Sequence, residues 1–167
     1  AQVDRIRKEA LVKHDKPLAD LDTPILIAGA GGFIGGWLAR DLVRQGYRKV
    51  RCVDVKPLEE WFQVQPSCDN QVRDLQLLDE CLEAARNQAC IFNFAADMGG
   101  MGFIELHKAE CMLSVLINTH LLQAGRLSGV ERYFFASSAC VYNADKQVSI
   151  EVTALREEDA YPAMPED

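Results

Sequence analysis

The chain has 167 residues, enough for one domain with its own hydrophobic core and short for two. At 49% hydrophobic and 26% charged it has the composition of a folded globular protein, which excludes a disordered or fibrous one. A net charge of -7 without any Lys/Arg-rich stripe argues against a nucleic-acid surface, and no apolar run approaches the roughly 20 residues that a membrane-spanning helix needs.

The opening "AQVDRIRKEALVKHDKPLAD" has a weak helical pattern, no glycine and no apolar signal core. It predicts a helical extension and linker over residues 1–22, ahead of a single domain over 23–167. Six cysteines, at 52, 68, 81, 90, 111 and 140, show neither CxxC nor Cys/His ligand spacing. With no export signal, they read as reduced thiols of a cytoplasmic protein without a metal site.

From Pro24 the pattern alternates. "PILIAG" is a continuous apolar run ending in glycine, the signature of a strand covered on both faces. "GGFIGGWLARDLVRQG" predicts a helix with apolar Phe33, Ile34, Trp37, Leu38 and Val43, closed by Gly46. "KVRCVDV" and "NQVRDL" read as strands, "LLDECLEAARN" as a helix and "ACIFNFAA" as a buried strand. After the loop "DMGGMGF" comes a long helix, about residues 104–128, and then the strand "RYFFASS". Residues 141–167 are polar and contain prolines, and no firm element is assigned to them. Strand–helix repetition at this spacing means right-handed βαβ units. The predicted fold is α/β, a Rossmann-like doubly wound parallel sheet with helices on both faces, incomplete at its C-terminal side.

The join of the first strand and helix, "AGAGGFIGG", sets Gly29, Gly32 and Gly35 in a GxxGxxG frame, with Gly31, Phe33 and Ile34 between them. Such a turn needs one glycine for its dihedrals, one for close approach of a pyrophosphate and one for helix–strand packing. Helix N–H groups and the positive dipole end then meet the phosphates. Asp54, at the end of the second strand, stands where a carboxylate accepts hydrogen bonds from the adenosine ribose. It would repel a 2′-phosphate, which favours NAD over NADP, a preference that the nearby Lys56 softens. Asp74 suits either the adenine amino group or a helix cap. Asn93 and Asn118 suit strand–helix packing, and His107 and His120 a helix surface or a satisfied partner.

"GAGGFIG", "NFAAD" and "SSACVY", in this order, resemble the extended branch of the short-chain dehydrogenase/reductase superfamily, the NAD-dependent nucleotide-sugar epimerases and dehydratases. Within it, "AADMGGMGFI" with "ASSACVY" is most similar to the GDP-mannose 3,5-epimerases, and "EEDAYPAMPED" resembles the approach to their catalytic tyrosine. The resemblance implies NAD as cofactor, with Ala95 and Ala96 beside it, and a nucleotide-sugar substrate, GDP-mannose. It implies transient oxidation at C4, which acidifies the hydrogens on C3 and C5, then proton removal and return, and re-reduction. In that pattern Ser138 hydrogen-bonds the C4 oxygen and Cys140 is the base, while Met98, Gly99, Gly100, Ser138, Ala139 and Cys140 hold the sugar. Met101 joins Met98 in lining that pocket. A free thiol, with a pKa of about 8.5, is sparsely ionised at neutral pH unless a cation or helix end assists it. Taken alone, Cys140 reads as an apolar filler at a strand end, and only Ser137, Ser138 and the upstream glycine loop turn the reading to a catalytic one. The resemblance also implies a homodimer for a full-length protein.

The superfamily's YxxxK motif is the point of departure. Tyr161 begins "YPAMP", without the lysine. Tyr142 begins "YNADK", which fits the letters with Lys146, yet it directly follows "SSACV", where the family has a structural tyrosine. The motif is therefore expected beyond Asp167, and this chain alone is expected to lack turnover. The competing expectations are another nucleotide-sugar epimerase or dehydratase and a non-catalytic NAD-binding module.

Overall fold

β1 (Ile25–Ala28) runs through the middle of the sheet with all four residues buried. The computed structural model describes residues 20–96, 106–138, 141–143 and 154–161. The predicted extension over residues 1–22 lies almost wholly outside them. Next come α1 (Phe33–Gln45), β2 (Val50–Asp54), a 3-10 turn at Leu58–Glu60, and β3 (Asp69–Val72). α2 (Leu78–Ala85), β4 (Cys90–Asn93), α3 (Lys108–Leu127) and β5 (Arg132–Phe135) complete the series. α1 stops where Gly46 enters the left-handed region at φ 96°, a conformation glycine adopts without Cβ strain.

The sheet order is β3-β2-β1-β4-β5, and every neighbouring pair is parallel. The chain moves outward from β1 to β3, then jumps back across to β4. That reversal leaves a crevice beyond the C-terminal ends of β1 and β4, the switch point at which such sheets bind ligands. The fold is the predicted Rossmann-like parallel sheet.

Side chains alternate across the sheet with period two. Leu26, Ala28, Val53 and Ile91 face α2 and α3, packing on Cys81, Ala84, Leu121 and Ala124. Ile25, Ile27, Val50, Cys52 and Cys90 face α1, packing on Ala39 and Leu42. Ile25, Leu26 and Ile27 are fully buried, each worth ~1.5–3 kcal/mol of transfer free energy. The segment between β2 and β3 holds no α-helix. Trp61 fills that place instead, buried, with its Nε1 donating to the Lys56 carbonyl at 2.8 Å.

By its contacts the chain divides into two compact units, residues 1–135 and 136–167. In the second, a 3-10 turn spans Glu157–Ala160, where no element was assigned from sequence. The Asp159 carboxylate accepts the Arg156 N–H at 2.8 Å, and the Asp159 carbonyl accepts the N–H of buried Asn143 at 3.4 Å. The Ser138 carbonyl accepts the Val141 N–H at 3.3 Å.

Candidate active site: a cofactor crevice at the switch point

The glycine turn is shaped by contact with its neighbours. Gly29 has φ +79°, and a Cβ there would lie 2.7 Å from the Phe94 carbonyl carbon and 2.8 Å from the Ala95 nitrogen. A Cβ on Gly35 would lie 2.3 Å from the Gly29 carbonyl oxygen, so α1 can sit on the turn only with glycine at that place. The Gly29 and Ala30 N–H groups donate to Val53 O at 2.9 and 3.1 Å, and Gly32 N–H to Gly29 O at 3.2 Å. At the start of α1 the first-turn N–H groups, Phe33 and Ile34 among them, have no intrahelical acceptor and suit an anion.

Asp54 is 9% exposed, and both carboxylate oxygens are engaged. Oδ2 accepts the Gly31 N–H at 3.0 Å and Oδ1 the Lys56 N–H at 3.1 Å. Each oxygen keeps a second lone-pair direction with which to accept a hydroxyl. Asp74, left open between two roles, caps the turn into α2: its Oδ1 accepts the Gln76 N–H at 2.9 Å. The Gln76 carbonyl lies 2.9 Å from His120 Nδ1, so that histidine is a satisfied partner.

Six of the candidate cofactor residues, Gly29, Gly32, Asp54, Asp74, Ala95 and Ala96, line one cavity of about 310 Å³ at the switch point. Lys56, read from the sequence as softening the NAD preference, shares its wall, as do Val55, Arg73, Gln76, Phe94 and Ile117, which were not singled out as ligand-facing in the sequence. A predicted strand end followed by "VK" and "RD" is the only signal that could have placed Val55 and Arg73 there. The crevice joins a glycine turn and helix N-terminus to a ribose-height carboxylate, a combination that fits the adenosine and diphosphate of a dinucleotide. Gly31 contributes its bond to Asp54, and Gly35 its close approach. Phe33 packs edge-on against Phe62, with ring centroids 4.9 Å apart, and its side chain is largely exposed. Ile34 lines a separate groove with Trp37, Phe92, Phe94 and Phe134.

Met98, Gly99, Gly100, Met101, Ala139 and Cys140 lie outside the described residues, as does Lys146. Ser138 is described in the second unit, three residues after β5. None of the described cysteines lines the crevice. Burial pushes the Cys81 thiol up to about 12 and the Cys90 thiol up to about 11, so both stay protonated. Cys52 and Cys68 share a hydrogen bond that raises the buried Cys52 and lowers Cys68. Among the described residues no group of three or more His, Cys, Asp or Glu side chains is placed to hold a metal ion, and no helix is long and apolar enough to cross a membrane.

Residues 25–164 match the pattern of the NAD dependent epimerase/dehydratase family. The chain belongs to that family. Its cofactor is NAD, and the crevice sets the buried Asp54 carboxylate beside the glycine turn. The chain is 41% identical over 144 residues to GDP-mannose 3,5-epimerase 1 of Oryza sativa subsp. indica, covering 86% of this chain and 38% of the relative. Among solved structures it is similar to MoeE5 in complex with UDP-glucuronic acid and NAD, at 31% identity and TM-score 0.62 over 71% of this chain and 38% of that one. It is also similar to a UDP-galactose 4-epimerase, at 28% identity and TM-score 0.69 over 86% of this chain and 45% of that one. The chain thus spans less than half the length of these epimerase/dehydratase relatives.

Proposed function

We propose that residues 23–167 are the NAD-binding portion of a cytoplasmic enzyme that epimerises GDP-mannose at C3 and C5. The observation that carries the reading is the crevice itself: glycine turn, Asp54 and the β4 turn around one cavity, in a chain 41% identical to a GDP-mannose 3,5-epimerase. The lower identity to a UDP-galactose 4-epimerase favours GDP-mannose over a UDP-sugar.

When bound, NAD supplies a hydride acceptor and donor for the sugar's C4. The chain's own groups do the rest. α1 and the turn hold the diphosphate, and Asp54 accepts from the ribose. Ser138 hydrogen-bonds the C4 oxygen. Cys140, as thiolate, takes a proton from C3 or C5 once the neighbouring ketone has acidified it. Met98, Gly99, Gly100 and Ala139 position the sugar. The tyrosine, its lysine and the acid that returns the proton come from a longer protein, so this chain alone is proposed to be inactive.

That longer protein is proposed to be a homodimer. α3 supports this with exposed Met112, Val115, Leu116 and Leu122, spaced to form one apolar stripe.

The test is solvent exchange. A protein containing this chain and a YxxxK motif, incubated with GDP-mannose in deuterium oxide, should place deuterium at C3 and C5, read by NMR. The Cys140→Ala form should bind NAD yet place none. Deuterium at neither carbon in the unaltered protein would rule out the epimerase reading.

A further inference from the structure

Asn93 ends β4 with 1% of its surface exposed, and a carboxamide buried so deeply needs partners at both ends. It has them. Its Nδ2 donates to Asn118 Oδ1 of α3 at 3.2 Å and to the Tyr133 hydroxyl of β5 at 3.1 Å. Its Oδ1 accepts the Ala95 N–H at 3.1 Å. The Tyr133 hydroxyl donates to Asn118 Oδ1 at 2.9 Å, closing a ring of three side chains drawn from three elements. Burial pushes the Tyr133 phenol up to about 12, so it remains a donor across the physiological range.

The ring reaches the crevice in one more step. The Phe94–Ala95 peptide, fixed by Asn93, is the group against which Gly29 is seated with no room for a Cβ. Ala95 lines the crevice, and so does Ile117, the neighbour of Asn118 on α3. Tyr133 itself lines none of it.

We infer that Tyr133, acting through Asn118 and Asn93, is a positioning residue for the cofactor: its hydroxyl locks the Asn93 carboxamide, which holds the Phe94–Ala95 peptide where the glycine turn seats against it. The inference rests on the NAD reading of the crevice. Without the hydroxyl, one Nδ2 hydrogen of Asn93 is buried and unbonded. The carboxamide then turns to seek an acceptor, and the Ala95 N–H loses its own.

Tyr133→Phe tests this, with Leu121→Ala as control, since Leu121 is fully buried on the helix that carries Asn118 and lines no part of the crevice. At a temperature where circular dichroism shows each chain folded, calorimetry should give Tyr133→Phe an NAD Kd about tenfold above the unaltered chain. The Ala95 amide should also exchange with deuterium about tenfold faster. Leu121→Ala should lower Tm and leave both quantities within about twofold. Should Tyr133→Phe fail to fold, Asn118→Ala opens the ring at its other corner and carries the same expectation. Unchanged affinity in the ring variant, or an equal loss in Leu121→Ala, overturns the inference alone. An unaltered chain that binds no NAD overturns the cofactor reading together with it.

Discussion

Asp54 makes the sharpest statement at the scale of single residues. Its carboxylate accepts two backbone N–H groups, one from the glycine turn and one from the segment after β2, before any ligand is considered. Asp54→Ala removes the proposed ribose acceptor and frees both donors. NAD affinity should fall by about tenfold or more by calorimetry, with a Tm loss from two broken charge-assisted bonds of ~1.5–3 kcal/mol each at most. Equal NAD affinity would mean that the ribose is held elsewhere. Asp54 was legible in the sequence because a strand end at a fixed distance from a glycine turn is a positional signal. Tyr133 was not. Its letter sits inside the ordinary strand "RYFF", and only the approach of β4 and α3 reveals what its hydroxyl touches.

Between elements, Arg51 ties the edge of the sheet to a helix end. Its Nε donates to Asp69 of β3 at 2.8 Å, and its Nη1 reaches the carbonyls of Ala84 at 2.9 Å and Arg86 at 3.1 Å, where α2 runs out of intrahelical donors. Arg51→Met should cost ~1–2 kcal/mol by chemical denaturation, and Arg51→Lys should recover only part, because one ammonium lacks the planar fork. Burial opposes ionisation of Asp69, but hydrogen bonds from Arg51 and Gln71 outweigh it and hold its carboxyl below the usual range. A depressed native pKa means that the unfolded chain takes up the proton first. The stabilisation is therefore whole above the ordinary carboxylate value of about 3.9 and drains away as pH falls through the native value. Asp69→Asn should lower Tm most at pH 7 and by progressively less at acid pH, below the ordinary carboxylate value. An equal loss across that range would remove the charge from the explanation. Periodicity exposed the elements themselves: β1 as an unbroken apolar run, α1 through Gly46. It missed the Trp61 plug, since a buried tryptophan within a polar loop has no period to betray it.

For the whole molecule, two surfaces stand out among the described residues. The stripe on α3 is the face proposed to meet a second copy, and Val115→Glu combined with Leu122→Glu should convert such a dimer to a monomer in sedimentation. A wild-type chain that sediments as a monomer would remove the dimer proposal for this portion. On the other face, Phe92 and Phe134 border the groove beside α1 with ring centroids 5.7 Å apart, and Phe134 remains half-exposed. The sheet order was legible only as a class, because strand letters state burial but not neighbours. The jump from β3 back to β4 is what turns the separate signals at Gly29, Asp54 and Ala95 into one crevice. That joining carries a historical consequence at position 54. A lineage drifting toward a 2′-phosphorylated coenzyme would have to give up an acid that also rivets the Gly31 bend to the lip of β2. Mutation at that codon alone loosens the nest before it admits the new guest. Coenzyme choice in this scaffold is thus tied to the shape of the turn: any exchange at position 54 also changes what accepts the Gly31 amide.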